Sequence, residues 1–162
     1  MKKYSILAAL IILVVIIINY DQETTPVVQY KVVKVLDGDS VMIADKDSHR
    51  VVELAYIDTP ELDQQFGIEA KKWLLEQITG NNSFVEIRAV ANSTKVVLLA
   101  DGVNLNRTLV VLGYAWLDSE TKQLPQTYLQ DFKRVQDNKI MLWSLPEYQR
   151  IPPWIWREDS LL

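Results

Sequence analysis

The sequence predicts an α+β domain, a small closed barrel of five strands with three helices packed on one side, preceded by an N-terminal membrane helix. Three observations carry this. β-branched and apolar runs are broken by turn signals such as Asp37-Gly38-Asp39 and Asn92-Ser93. Three later stretches space their apolar residues at the helical period. A continuous apolar run from Ile6 to Ile18 follows Lys2 and Lys3.

The N-terminal run contains no polar side chain, so it cannot form the polar face of a surface helix. Extended to Tyr4 and Tyr20 it gains an aromatic at each end, and at the helical rise it would reach about 25 Å, near the lower limit for crossing a bilayer. Ile17-Ile18-Asn19-Tyr20-Asp21 offers no small-residue cleavage pattern. Residues 1–20 therefore read as an uncleaved signal anchor in the inner membrane, spanning over residues 4–20, with the lysines cytoplasmic and the domain on the extracytoplasmic side. Cleavage would instead make the protein secreted. Residues 21–26, DQETTP, form a polar linker, the domain occupies 27–157, and 158–162 are a tail.

Within the domain, Val27–Leu36, Ser40–Ala44 and Arg50–Ile57 read as strands, the third with the imperfect alternation of a strand buried on both faces. A helix follows from about Gly67 to Thr79, with Ala70, Leu74, Leu75 and Ile78 on its stripe and Gly80 as its stop. Phe84–Val90 and Lys95–Ala100 form a hairpin. Leu105–Leu112 is a second helix stopped by Gly113, and Thr127–Asn138 a third, with Leu129, Phe132 and Val135 inward. The strands are best buried by closing on themselves, which leaves no long edges.

Composition narrows the chemistry. There is no cysteine, which removes disulfides and thiolate metal sites, and the single histidine, His49, reads as a surface residue in a polar turn. The net charge of −4 has the wrong sign for a strong non-specific phosphate binder. Lys71-Lys72 and Lys133-Arg134 read as solvated helix faces and are the best phosphate contacts if nucleic acid binds. Trp143, Trp154 and Trp156 read as packing at a core edge, with a base-stacking platform as the alternative.

Two acidic clusters, Asp37-Gly38-Asp39-Ser40 and Asp58-Thr59-Pro60-Glu61, fall at strand ends, where loops place side chains for chemistry. Brought together by strand pairing they could supply the oxygen ligands a hard cation takes. On residue pattern alone, an ordinary turn or helix approach is the favoured reading of each.

The order "VLDGDS", "VELAYIDTPE", "ADG…N" and "KIMLW", closing on "PPWIWR", resembles the staphylococcal nuclease, or thermonuclease-like, family over residues 30–157. The resemblance implies a five-stranded OB-fold barrel with three helices and calcium-dependent hydrolysis of DNA and RNA phosphodiesters. It places Asp39 and Asp58 as metal ligands with the Thr59 carbonyl, Asp37 as a carboxylate beside them, and Glu61 as the general base. It also implies two phosphate-gripping arginines. Glu53 and Ser93 stand at those positions, five residues before Asp58 and eight before Asp101. Because phosphoryl transfer rests on stabilising charge on oxygen, this predicts lost or strongly reduced activity. Lys95 is a candidate substitute cation, though without an arginine's bidentate grip. Arg50 is expected on the face opposite Glu53. The alternatives are an unconventional but active nuclease, or an OB module that binds a metal, an oligonucleotide or a protein.

Overall fold

A computed structural model describes residues 28–78 and 83–159. The expected anchor and linker lie outside the described residues, among which no helix is long and apolar enough to cross a membrane. The elements are β1 (Gln29–Val35), β2 (Ser40–Asp45), β3 (Ser48–Glu53), β4 (Ile57–Asp58), α1 (Gly67–Ile78), β5 (Phe84–Ala89), β6 (Val96–Ala100), β7 (Val103–Asn104), α2 (Leu105–Val111), β8 (Trp116–Leu117) and α3 (Gln126–Asp137). Two 3-10 turns at Met141–Ser144 and Glu147–Gln149 lead to α4 (Pro153–Asp159).

The main sheet is antiparallel and has six strands in the order β3-β2-β1-β5-β6-β7, with β4 and β8 pairing separately. This corrects the expected five-stranded closed barrel. The expected third strand, Arg50–Ile57, breaks in two. Leu54 N–H donates to the Asp39 carbonyl (2.8 Å) and Ala55 N–H to the Val96 carbonyl (2.7 Å), so the chain leaves β2 at that point. Tyr56 then adopts a φ of 72°, a left-handed conformation uncommon outside glycine. The turn sends Ile57–Asp58 to pair with Trp116–Leu117. Residues 54 and 96 make one parallel bridge, so β3 and β6 touch without a continuous ladder. β1 carries a bulge at Val33, where the register with β2 shifts.

The apolar core lies between the sheet and α1 and α2, around Val41, Ile43, Leu54, Ile57, Leu74, Leu98, Leu105 and Leu109. Each helix stripe departs from expectation at one position. In α1 Ala70, Leu74 and Ile78 are buried as expected, with Gly67, whereas Leu75 is 42% exposed and Trp73 packs on the core instead. In α3 Val135 is buried and Phe132 packs on the core as expected, Tyr128 and Asp131 are buried too, and Leu129 is 40% exposed. A stripe beginning at 128 has nearly the spacing of one beginning at 129, so periodicity cannot separate them. The buried Asp131 is neutralised by Arg107 (2.6 Å) and Arg134 (2.9 Å), the pairing a buried charge requires.

Asn106 bolts the helical layer to the sheet. It is fully buried, its Oδ1 accepts Leu98 N–H (2.9 Å), and its Nδ2 donates to the carbonyls of Ala55 (3.0 Å) and Val96 (2.8 Å). Those bonds hold the bend at Ala55, and with it the position of Asp58.

Candidate active site

The loop between β1 and β2 reaches its position because residue 38 has no side chain. A Cβ there would lie 2.6 Å from Thr59 Oγ1 and 2.8 Å from Ala70 Cβ, so only glycine lets the loop lie against the β4 exit and α1. Gly67 does the same on the far side, where a Cβ would collide with the Glu61 carbonyl. The first approach brings Asp39 Oδ2 to within 2.7 Å of Thr59 N–H, across twenty residues of chain. Asp37 Oδ1 accepts Asp39 N–H (3.1 Å), and Ser40 Oγ donates to Asp39 Oδ1 (3.4 Å).

The two acidic clusters thus meet. Asp37, Asp39, Asp58, Thr59 and Glu61 line one cavity of about 340 Å³. Glu53 lines it too, at the end of β3, as do Lys95, Asp118, Glu120, Trp154 and Arg157. Seven carboxylates share this cavity with two cations. Burial, and then the neighbouring Asp37 carboxylate, push the Asp39 carboxyl up to about 8, against the pull of the Thr59 N–H. Asp58 adds to the rise.

Ser93 is not part of this cavity. It is exposed, its Oγ accepts Lys95 N–H (3.0 Å), and it lines a neighbouring cavity of about 850 Å³ between the 90–95 loop and residues 118–123. Lys95 reaches the carboxylates from that loop. Its Nζ lies 3.0 Å from Asp118 Oδ2 and 3.8 Å from Glu53 Oε2. Burial works to lower its pKa, but Asp118 first, then Glu53 and Asp58, outweigh it and hold the ammonium above its ordinary value. Burial likewise works to raise Asp118; the Glu120 N–H, Lys95 and Thr121 outweigh it and hold that carboxylate low. Arg50 lies elsewhere, paired with Asp45 (3.1 Å) and over the Tyr30 ring.

Three charged residues of the cavity, Asp118, Glu120 and Arg157, belong to none of the motifs that point to a site. Asp118 follows β8 and is buried. Arg157 is on α4, and its fork closes on Asp58 with Nη1–Oδ1 at 3.0 Å and Nη2–Oδ2 at 2.7 Å, while Nη1 also reaches Glu61 Oε1 at 2.7 Å. Asp58 first, then Glu61, raise its already high pKa. The sequence signal for Arg157 is "PPWIWR", in which the arginine directly follows the packing tryptophans. Trp154 does pack edge-on against Trp116 (5.8 Å), which in turn meets Trp143 edge to face (4.6 Å). Trp156 Nε1 donates to Asp63 Oδ1 (3.0 Å). His49 is exposed on β3. Lys72 pairs with Glu76 and Lys133 with Asp137 on their own helices.

All the donors facing the cavity's acidic end are oxygens, which suits a hard cation and not a soft one. An acidic end whose Asp39 is so disfavoured as an anion is also chemically suited to receive positive charge. Among the described residues no three carboxylate or histidine side chains form a ready-made metal cluster, so a metal there would need water and backbone oxygen as further ligands.

An antiparallel sheet with helices, and an oxygen-rich cavity at its loop ends, define a nuclease-like α+β domain. The chain belongs to the staphylococcal nuclease family: the model described as "Staphylococcal nuclease homologue" matches residues 51–145. It is 30% identical over 131 residues to an "Uncharacterized endonuclease" of Escherichia coli O157:H7, covering 78% of this chain and 83% of that protein. A Haemophilus influenzae protein of the same description is 31% identical, covering 80% and 73%. A "Micrococcal nuclease" of Shigella flexneri is 29% identical, covering 80% of each chain.

Proposed function

We propose that this is an exported, membrane-tethered nuclease that binds a hard divalent cation, calcium by its family, and hydrolyses DNA or RNA phosphodiesters at a strongly reduced rate. The observation that carries the reading is the gathering of Asp39, Asp58, Thr59 and Glu61 in one cavity whose β3 edge presents Glu53 in place of a cation. Asp39, Asp58 and the Thr59 carbonyl would hold the cation, which supplies charge to a phosphoryl oxygen and acidifies a water. Thr59 N–H holds Asp39 in place. Glu61, whose own N–H is fixed on Gln64 Oε1 (2.8 Å), takes the proton of the attacking water. Glu53 works against the reaction, because an anion beside the phosphate position raises the charge that must be offset.

Calcium-dependent digestion of single-stranded DNA and RNA by residues 26–162, together with calorimetric calcium titration, tests this. Cleavage slow but calcium-dependent is expected, with binding at millimolar calcium that Asp39→Ala abolishes. No calcium binding by the wild type would reduce the carboxylates to loop residues. Calcium binding without cleavage would favour the second reading, a binding module, which the surplus of acid over base in the cavity supports.

The tether rests on the apolar segment at residues 4–20. Intact-mass measurement of protein extracted from membranes is expected to give the full-length chain. A mature chain starting near Tyr20 or Asp21 would overturn the tether in favour of secretion.

A further inference from the structure

The family resemblance puts Glu53 and Ser93 at the two phosphate-arginine positions, yet two cations line the cavity, and they are not equivalent. Lys95 is committed. Its partner Asp118 is 5% exposed, and drawing the ammonium away would leave a buried carboxylate unpaired, a costly state. Arg157 is 49% exposed, and its partners Asp58 and Glu61, 13% and 33% exposed, are both more accessible than Asp118. It is also not a loose tail residue. Pro153 is buried, Trp154 packs on Trp116, Trp156 is bonded to Asp63, and Gln64 Nε2 donates to the Ile151 carbonyl (3.1 Å). Four attachments thus hold α4 so that a planar guanidinium faces the two carboxylates expected to serve the metal and the attacking water.

We propose that Arg157 is the phosphate-binding arginine of this site, supplied by the C-terminal helix and kept on Asp58 and Glu61 until a nucleic-acid phosphate arrives. The inference rests on the nuclease reading above and adds the residue that grips the substrate. Its chemistry follows from the fork: five N–H donors can match a phosphate's oxygens as they match the two carboxylates now. A cation held by Asp58 would take up that carboxylate's charge, and the Arg157 fork would then be free to turn from carboxylate to phosphate oxygen. No bond to Arg157 forms or breaks in the reaction; it positions the phosphate and balances its charge.

The test is binding, not turnover. A short fluorescein-labelled single-stranded phosphorothioate oligonucleotide is titrated by anisotropy in calcium, over a range of salt, against full-length wild type, Arg157→Gln and Arg157→Lys. Arg157→Gln is expected to weaken binding roughly 10- to 100-fold, as for loss of a charge-assisted hydrogen-bonded contact. It should also flatten the dependence of log K on log salt by about 0.7, the loss of one phosphate contact on a single strand. Arg157→Lys should restore the slope but only part of the affinity. Equal binding by wild type and Arg157→Gln overturns the proposal. So does weaker binding with an unchanged slope, which would mean that Arg157 only holds α4 in place; tryptophan fluorescence reports that loss directly. A wild type that binds calcium but no oligonucleotide overturns the nuclease reading itself, and this inference with it.

Discussion

Replacing Lys95 by methionine is expected to destabilise the domain by about 2 kcal/mol at neutral pH, at the low side of the cost of breaking a buried pair because the lysine is partly exposed. Methionine keeps the length of the side chain and removes only its charge. What remains is Asp118, 5% exposed, with the Glu120 N–H (2.9 Å) and Thr121 Oγ (3.0 Å) still donating to it. Those two bonds keep the loss moderate. The pH dependence identifies the cause. Asp118 is held below its ordinary value of 3.8 in the fold, so its contribution is present above that pH and lost as pH falls through the lower folded value. Lys95 is held above its ordinary 10.5, so its contribution is present below that pH and lost as pH rises through the higher folded value. The gap between wild type and Lys95→Met, measured by denaturant unfolding in chelator, should therefore be widest between these limits and narrow in acid. Adding Asp118→Asn should recover part of the loss. A gap that does not change with pH would mean the lysine contributes packing alone.

The same pair explains how much of the site could be read in advance. Asp39, Asp58 and Glu61 were legible as acidic residues at strand ends, but the family resemblance, not the local motif, set them apart from ordinary turn residues; the fold brings them to one cavity. The strands of the main sheet were legible as well, since the runs are β-branched and punctuated by turns, but the pairing of Ile57–Asp58 with Trp116–Leu117 was not. The break at Tyr56 was not, because nothing in "VVELAYID" marks a left-handed residue, and the bonds that force it come from Asp39 and Val96, remote in sequence. Asp118 and Arg157 were hidden for the same reason. Each becomes a site residue through a contact across twenty-three residues or more, to Lys95 in one case and to Asp58 in the other. In α3 the buried Asp131 was missed for a different reason: an aspartate looks like the polar face until the arginines that neutralise it are placed.

Glu53→Arg is expected to raise calcium-dependent cleavage about tenfold or more, below the roughly 10²-fold or larger effect of a preorganised phosphate-neutralising donor, because the new side chain is not preorganised there. The change reverses the sign at the end of β3 and shifts the local charge by two units, in a cavity where carboxylates outnumber cations. It also brings a second cation near Lys95, whose Nζ is 3.8 Å from Glu53. That repulsion is bounded, because Lys95 keeps its shorter contact to Asp118. Ser93→Arg, by contrast, should gain little. Residue 93 is exposed on the 90–95 loop and borders the neighbouring cavity, so an arginine there starts outside the carboxylate site. In the double variant most of the gain should belong to position 53, with any excess over the singles non-additive, as for groups acting on one transition state. Combining Glu53→Arg with Arg157→Gln separates the sources of positive charge: if both arginines act on one phosphate, the restored rate falls again when Arg157 is removed. A folded, calcium-binding Glu53→Arg protein with no gain would sink the assignment of Glu53 as the anion that suppresses catalysis. A wild type already as fast as active relatives would do the same, because Arg157 would then be sufficient by itself.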